Sequence, residues 1–285
     1  MPKKPGNGDA KALSQTASAV VGPKPLLILD CGSITLIKAG KTLAFGDMFM
    51  EAAPFSREEA VVVDVVSRPP KIDLTKLQYQ GIIITGSLAM LTDPDPWSIK
   101  LIPFLEQALD MRVPILGVCY GHHLLASLSH GAVDWHPEGM ELGSHLITLA
   151  PGTQKTYPLL ACLPDAFPAY QAHSQSVVRL PSMAKVLASS KHDPTQIVAY
   201  GKRVFSCQFH PEFTAPFMAD LLEDLEVHVP TPDLPAKIAL GREPMETNHG
   251  QKLLRGFLKF CQWFTPANPR YLRKPYLPKS LRTLY

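Results

Sequence analysis

The sequence predicts an α/β protein with a mostly parallel central sheet flanked by helices on both faces. Short β-branched and aliphatic runs recur along the chain, and helical patterns fall between several of them. Runs that stay apolar for about four to six residues suit strands covered on both faces, as in a parallel sheet between helix layers. Alternating strands and helices build that layering. Composition agrees: 46% hydrophobic and 19% charged residues over 285 positions supply a full core and too little charge for wholesale disorder.

Residues 1–24 are polar and contain Pro and Gly, so they offer little to bury and read as a disordered tail. One domain is then expected over 25–264. Its strand-like runs are Leu26–Leu29, Val61–Val66, Ile82–Thr85, Val113–Val118, Leu146–Leu149, Val186–Ala188, Ile197–Tyr200 and Val204–Phe209. A helix is predicted over Ser98–Met111, with Ser98 as N-cap, the stripe Ile99, Ile102, Leu105 and Leu109, and Pro103 as its awkward member. A second runs from Tyr120 to His130 with Leu124, Leu125 and Leu128 on one side, stopping at Gly131, a suitable C′ residue. A last stripe is Leu253, Leu254, Phe257, Leu258 and Cys261. Between these, residues 226–247 hold four prolines and read as an irregular excursion. Residues 265–285 are basic with interleaved Tyr. Such charge runs are usually solvated; docking to an acidic partner is the alternative.

Several classes are excluded. A net charge of +3, from 28 Lys and Arg against 25 Asp and Glu, gives no basic excess of the kind nucleic-acid surfaces show. Five Cys without a C-x-x-C pair do not suggest a disulfide framework. There is no apolar signal-like region near the start and no run of the roughly 18 apolar residues a membrane span needs. The expected setting is the cytoplasm, with no membrane or nucleic-acid partner. Ten His invite a metal reading, but no H-E-x-x-H or Cys/His spacing supports one. No G-x-G-x-x-G occurs, so no cofactor is expected.

The most informative segment is residues 113–126, where a strand runs into a helix with Gly117-Val-Cys-Tyr-Gly121 at the join. This is a nucleophile elbow carrying Cys119 in place of Ser. Two small residues are needed where the backbone doubles back, and the side chain between them is pushed out over the sheet edge. It also meets the positive end of a helix dipole, which favours negative charge there. A Cys nucleophile needs a base and a group that orients the base. Gln208-Phe-His-Pro-Glu212 closes an apolar strand, and residues two apart on extended chain face one way. His210 can therefore hold the proton and Glu212 can set its tautomer. An oxyanion hole needs two backbone N–H donors: Tyr120 follows the nucleophile, and Gly86-Ser87 ends the strand Ile82–Thr85.

Four stretches, Ile84-Thr-Gly-Ser-Leu88, Gly117-Val-Cys-Tyr-Gly121, Ala172-His-Ser-Gln-Ser-Val177 and Gln208-Phe-His-Pro-Glu212, together resemble the class I (triad-type) glutamine amidotransferases. The likeness is greatest to the stand-alone group similar to the amidotransferase domain of GMP synthetase, and it covers about residues 25–225. The resemblance implies a flavodoxin-like amidotransferase fold. It also implies attack of the Cys on the side-chain amide of glutamine, release of ammonia, and hydrolysis of a γ-glutamyl thioester. By motif, Cys119, His210 and Glu212 would be the triad, with Gly86, Ser87 and Tyr120 forming the oxyanion hole. His123, His173, Ser174 and Gln175 would line the substrate site, the last three near the α-amino and α-carboxylate groups. Two departures stand out: His123 occupies the place where the family usually has Gln, and Ser87 stands where Gly-Gly is common.

The same three residues would serve a γ-glutamyl peptidase or hydrolase, an alternative that His123 keeps open. A third reading is a non-catalytic regulatory protein retaining the fold. Without a nucleotide-site motif, any ammonia delivered onward would be received by a separate synthetase subunit. The expected small-molecule partner is glutamine or a γ-glutamyl compound.

Overall fold

A computed structural model of the chain describes residues 24–53, 55–67, 79–228, 234–241 and 248–263. The tails expected over 1–24 (Lys24 apart) and 265–285 lie outside the described residues. In chain order the elements are β1 (Leu26–Asp30), β2 (Ser33–Leu36), β3 (Lys41–Ala44), α1 (Phe45–Ala52), β4 (Ala60–Asp64) and β5 (Gly81–Ile84). Next come α2 (Pro96–Asp110), β6 (Ile115–Val118), α3 (Tyr120–Leu128), β7 (Ala132–Trp135), β8 (Glu141–Leu149), α4 (Thr153–Thr156) and a 3-10 turn over Pro158–Leu160. The chain continues through β9 (Ala166–His173), β10 (Gln175–Arg179), β11 (Lys185–Ser189), β12 (Ile197–Ala199), β13 (Val204–Cys207), α5 (Ala215–His228), α6 (Leu234–Gly241) and α7 (His249–Trp263).

Among the described residues nine strands form one sheet in the order β4-β1-β5-β6-β13-β12-β11-β8-β9. The first five run parallel to their neighbours; from β13 to β9 each pairing is antiparallel. The predicted fold class is thus observed. β1, β5, β6 and β13 are buried at every position, which is why they read as continuous apolar runs. Their side chains alternate between two cores, as a period of two requires. Leu26 and Ile28 join Phe49 of α1 and Leu253, Leu254 and Phe257 of α7. Leu27 and Leu29 join Leu101 and Leu105 of α2 and Leu124 and Leu125 of α3. Each such Leu or Ile contributes about 2 kcal/mol of transfer free energy. No helix among the described residues is long and apolar enough to cross a membrane.

The structure corrects three local expectations. α2 starts at Pro96 with Asp95 before it, not at Ser98, because Pro at the first helical position needs no N–H partner and presets φ. Its buried face is Ser98, Leu101, Phe104, Leu105 and Ala108. Ile99 is 54% exposed, so the stripe read from sequence was out of phase. Pro103 is tolerated on the exposed side, where water can take the freed carbonyl. The excursion over 226–247 is entered by the end of α5 and contains α6; both helices join a third core with Ile34, Leu36, Phe45 and Tyr170.

The join between β6 and α3 is sterically closed. A Cβ on Gly117 would stand 2.3 Å from the Gly121 carbonyl oxygen, and one on Gly121 would stand 2.6 Å from the Ile84 carbonyl oxygen. Both obstacles are backbone. Gly117→Ala is therefore expected to lower the unfolding free energy by about 3 kcal/mol or more through overpacking, read from urea denaturation. An unchanged denaturation midpoint would show that the elbow is not closed in this way.

Candidate active site

Three neighbouring parallel strands, β5, β6 and β13, end at the same edge of the sheet, and each delivers one part of the site. Loops beyond the carboxyl ends of parallel strands are where α/β sheets place their ligands. From β6 comes Cys119, with φ 49° and ψ −100°, a conformation that a non-glycine residue adopts only when its surroundings enforce it. The enforcement is visible on both sides: its N–H donates to the Cys207 carbonyl at 2.9 Å and its carbonyl accepts the His123 N–H at 3.0 Å. The residue after it, Tyr120, opens α3, so its N–H has no acceptor within the helix. The Tyr120 ring is buried beside Trp97 and its hydroxyl is hydrogen-bonded to Ser98.

From β13 the chain continues to His210, whose N–H bonds the Tyr170 carbonyl at 2.8 Å. His210 Nδ1 and Glu212 Oε1 are 2.7 Å apart, both side chains buried. Nε2 has no hydrogen-bond partner among the described residues. Its neighbour is Cys119, which raises the pKa of the ring. From β5 comes Gly86. A Cβ there would lie 2.8 Å from His210 Cε1 and 3.6 Å from Cys119 Cβ, so the imidazole and the cysteine flank one point. Gly86 is small because the imidazole occupies the space a side chain would need. Among the described non-glycine residues only Arg112, Cys119 and His130 have positive φ. Ser87 therefore sits in ordinary backbone, and its Oγ accepts the Ala89 N–H at 3.1 Å.

The remaining predicted residues line a buried polar network beside this cluster. His123 Nε2 donates to Gln208 Oε1 at 2.7 Å. His173 is held between the Gln175 carbonyl at 2.9 Å and Glu141 Oε2 at 2.8 Å. The Gln175 amide accepts from Leu91 N–H at 2.9 Å and donates to Thr92 at 2.6 Å. Both ends of Gln175 and both ring nitrogens of His173 are thus engaged within the protein, whereas Ser174 is half-buried and its carbonyl accepts the His136 N–H. Glu141 and Gln196 have no place in the sequence reading, and Gln208 stands there only as the start of the motif that carries His210. Glu141 accepts from His173, Gln196 and Ser190, each at 2.8 Å, and the Gln208 N–H bonds the Gln196 carbonyl at 2.9 Å. Gln208 had a signal, standing two positions before His210; Glu141 and Gln196 had none beyond being polar. Among the described residues no three His, Cys, Asp or Glu are grouped as metal ligands.

The electrostatics divide the histidines. For His210, burial alone would lower the pKa, but the Glu212 carboxylate and the Cys119 sulfur outweigh burial and push it up to about 10. Burial, reinforced by the neighbouring His123, lowers His122 to about 3. His123 falls to about 4 through burial and the nearby His173. A lowered His contributes stability that is complete above the ordinary value of 6.5 and lost as pH falls through its folded value. His210 has the opposite sign: its contribution is complete below 6.5 and lost as pH rises through about 10. Urea midpoints measured against pH should therefore decline on both sides of 6.5. His123→Gln is expected to flatten the acid limb and Glu212→Gln the alkaline limb; limbs unaltered by these substitutions would contradict the assignment.

Comparison with known proteins fits this geometry. A family model described as glutamine amidotransferase class-I matches residues 55–225. Gamma-glutamyl peptidase 5 of Arabidopsis thaliana is 28% identical over 156 residues, covering 54% of this chain and 61% of that protein. A glutamine-hydrolysing GMP synthase of Gloeobacter violaceus is 30% identical over 174 residues, covering 60% of this chain and 30% of that protein. The chain thus spans less than two thirds of the length of either relative. A solved glutamine amidotransferase from Thermotoga maritima superposes with a TM-score of 0.63 at 20% identity, over 84% of this chain and 98% of its own, which establishes the fold. Because the family model covers more than half of the sequence, the protein belongs to the class I glutamine amidotransferases.

Proposed function

We propose that the protein hydrolyses the side-chain amide of glutamine through a thioester on Cys119, with Cys119, His210 and Glu212 as a catalytic triad. The observation that carries this is the meeting of a Cys held at φ 49° with a buried imidazole bonded to a carboxylate, both around Gly86. The chemistry follows from the charges. His210 is kept protonated beside the sulfur, so Cys119 attacks the amide carbon as thiolate. Negative charge develops on the carbonyl oxygen, and the Tyr120 N–H and the Gly86-Ser87 turn are the groups proposed to receive it. The carbon–nitrogen bond breaks as His210 gives its proton to the leaving nitrogen, and ammonia departs. Water then gives a proton to His210 and its oxygen attacks the thioester, releasing glutamate and restoring the thiolate–imidazolium pair. Glu212 fixes the tautomer and supports the imidazolium charge.

Ser174 and the peptide groups around it are the groups proposed to meet the α-amino and α-carboxylate ends. His173 and Gln175 would hold that segment in place, since their own polar atoms are occupied. Ammonia would pass to a separate synthetase subunit, and a cytoplasmic setting suits the free thiols.

A specific feature favours a second reading. His123 is buried, neutral and committed to Gln208, where the family usually presents Gln. Together with the similarity to gamma-glutamyl peptidases, this supports cleavage of γ-glutamyl amides other than glutamine by the same three residues. Ammonia released from glutamine, compared with amine released from γ-glutamyl dipeptides, separates the two. In either case a glutamine-mimicking electrophile is expected to form a single adduct on Cys119, located by mass spectrometry. Cys119→Ala should reduce turnover on the order of 10⁶-fold and Glu212→Gln less. Adducts spread over Cys31, Cys162 and Cys207, or full activity in Cys119→Ala, would overturn the proposal. An unlabelled and inactive wild type would favour the non-catalytic reading.

A further inference from the structure

The imidazole of His210 is held on a side that the triad does not explain. Its ring lies flat against the ring of Phe213, with centroids 3.9 Å apart and planes within 8°. Phe213 is 6% exposed and is backed by Phe217 of α5 at 4.4 Å. Phe217 belongs to the third core with Met218, Leu221 and Tyr170. The tie from Nδ1 to Glu212 fixes one edge of the imidazole, but a single bond leaves the ring free to rock about it. A flat partner stops that rocking. Gly86 closes the Cε1 edge, so edge, face and Nδ1 are each restrained and only Nε2 is left to act.

We propose that Phe213 is a positioning residue for His210, setting the plane of the imidazole so that Nε2 faces Cys119 and presenting a π face to the imidazolium. A cation over an aromatic face is attracted by the negative charge of that face, so the stack favours the protonated ring as well as its orientation. The titratable groups facing the imidazole are Glu212 and Cys119. The inference rests on His210 being the group that moves the proton. It adds that the α5 core, through Phe217 behind Phe213, steadies that group.

The test compares Phe213→Leu, which keeps apolar bulk and loses the flat face, with Phe213→Tyr, which keeps the face. Glutamine turnover and a nuclear magnetic resonance titration of His210 are read on each. Misplacement of a reacting group costs up to about 100-fold, so Phe213→Leu should lose roughly 10- to 100-fold in kcat at unchanged KM, and its His210 should titrate lower. Phe213→Tyr should recover most of both. If Phe213→Leu does not fold, Phe217→Leu, which removes the backing ring without touching His210, should move the titration the same way by less. A wild-type titration and kcat in Phe213→Leu, or equal losses in the Leu and Tyr variants, overturns the proposal. Failure of the wild type to be labelled at Cys119 would instead overturn the reading on which it rests.

Discussion

Where β6 turns into α3, the carbonyl of residue 121 leaves no room for a side chain at position 117, and the carbonyl of Ile84 leaves none at position 121. That crowding throws Cys119 into a backbone conformation costing on the order of 1–3 kcal/mol, and the helix and sheet around it hold the strain. The sulfur is thereby lifted off the strand and over the sheet edge, and α3 is started at the same point. Because β13 is the parallel neighbour of β6, with Cys207 opposite Val118, the chain leaving β13 arrives within reach of that sulfur. The site is a consequence of one tight turn and one strand pairing.

Electrostatics then decide what the assembled groups can do. Burial tends to strip charge from every group in this region, and in His122 and His123 it succeeds. At His210 the nearby Glu212 and Cys119 reverse the outcome. Neutral and cationic imidazoles therefore coexist in this protein, distinguished by which partners they face. Glu141 shows the same competition for a carboxylate: burial raises its pKa, but His173 and Ser190 bring it below its ordinary value. A removed partner at such positions leaves a buried charge uncompensated, which costs more than the pair is worth when intact.

The parts of this protein that sequence made legible are those set by local chemistry. The elbow needs two glycines around one Cys, and His-Pro-Glu stands within five residues, so both could be read before any contact was known. The buried parallel strands were readable because both their faces are covered. The half-exposed pieces were not: β2, β3, β7, β9 and β10 have mixed burial and lack a run that stands out. The phase of α2 was misread because Ile99 is apolar yet faces solvent, and α6 was hidden by the prolines around it. The network linking Glu141 to His173 and Gln196 joins residues far apart in the chain, so its members had no common signal. The Phe213 stack had the right neighbour in view, but an aromatic next to a motif does not announce which face it will cover.

The most direct measurement is a nitrogen-resolved nuclear magnetic resonance titration of His210 in the wild type and in Cys119→Ala. The expected result is an imidazole that stays protonated through neutral pH and titrates near 10 in the wild type, with a lower value once the sulfur is removed. A wild-type His210 titrating near 6.5, unmoved by loss of the sulfur, would mean that the two groups do not interact and form no catalytic pair.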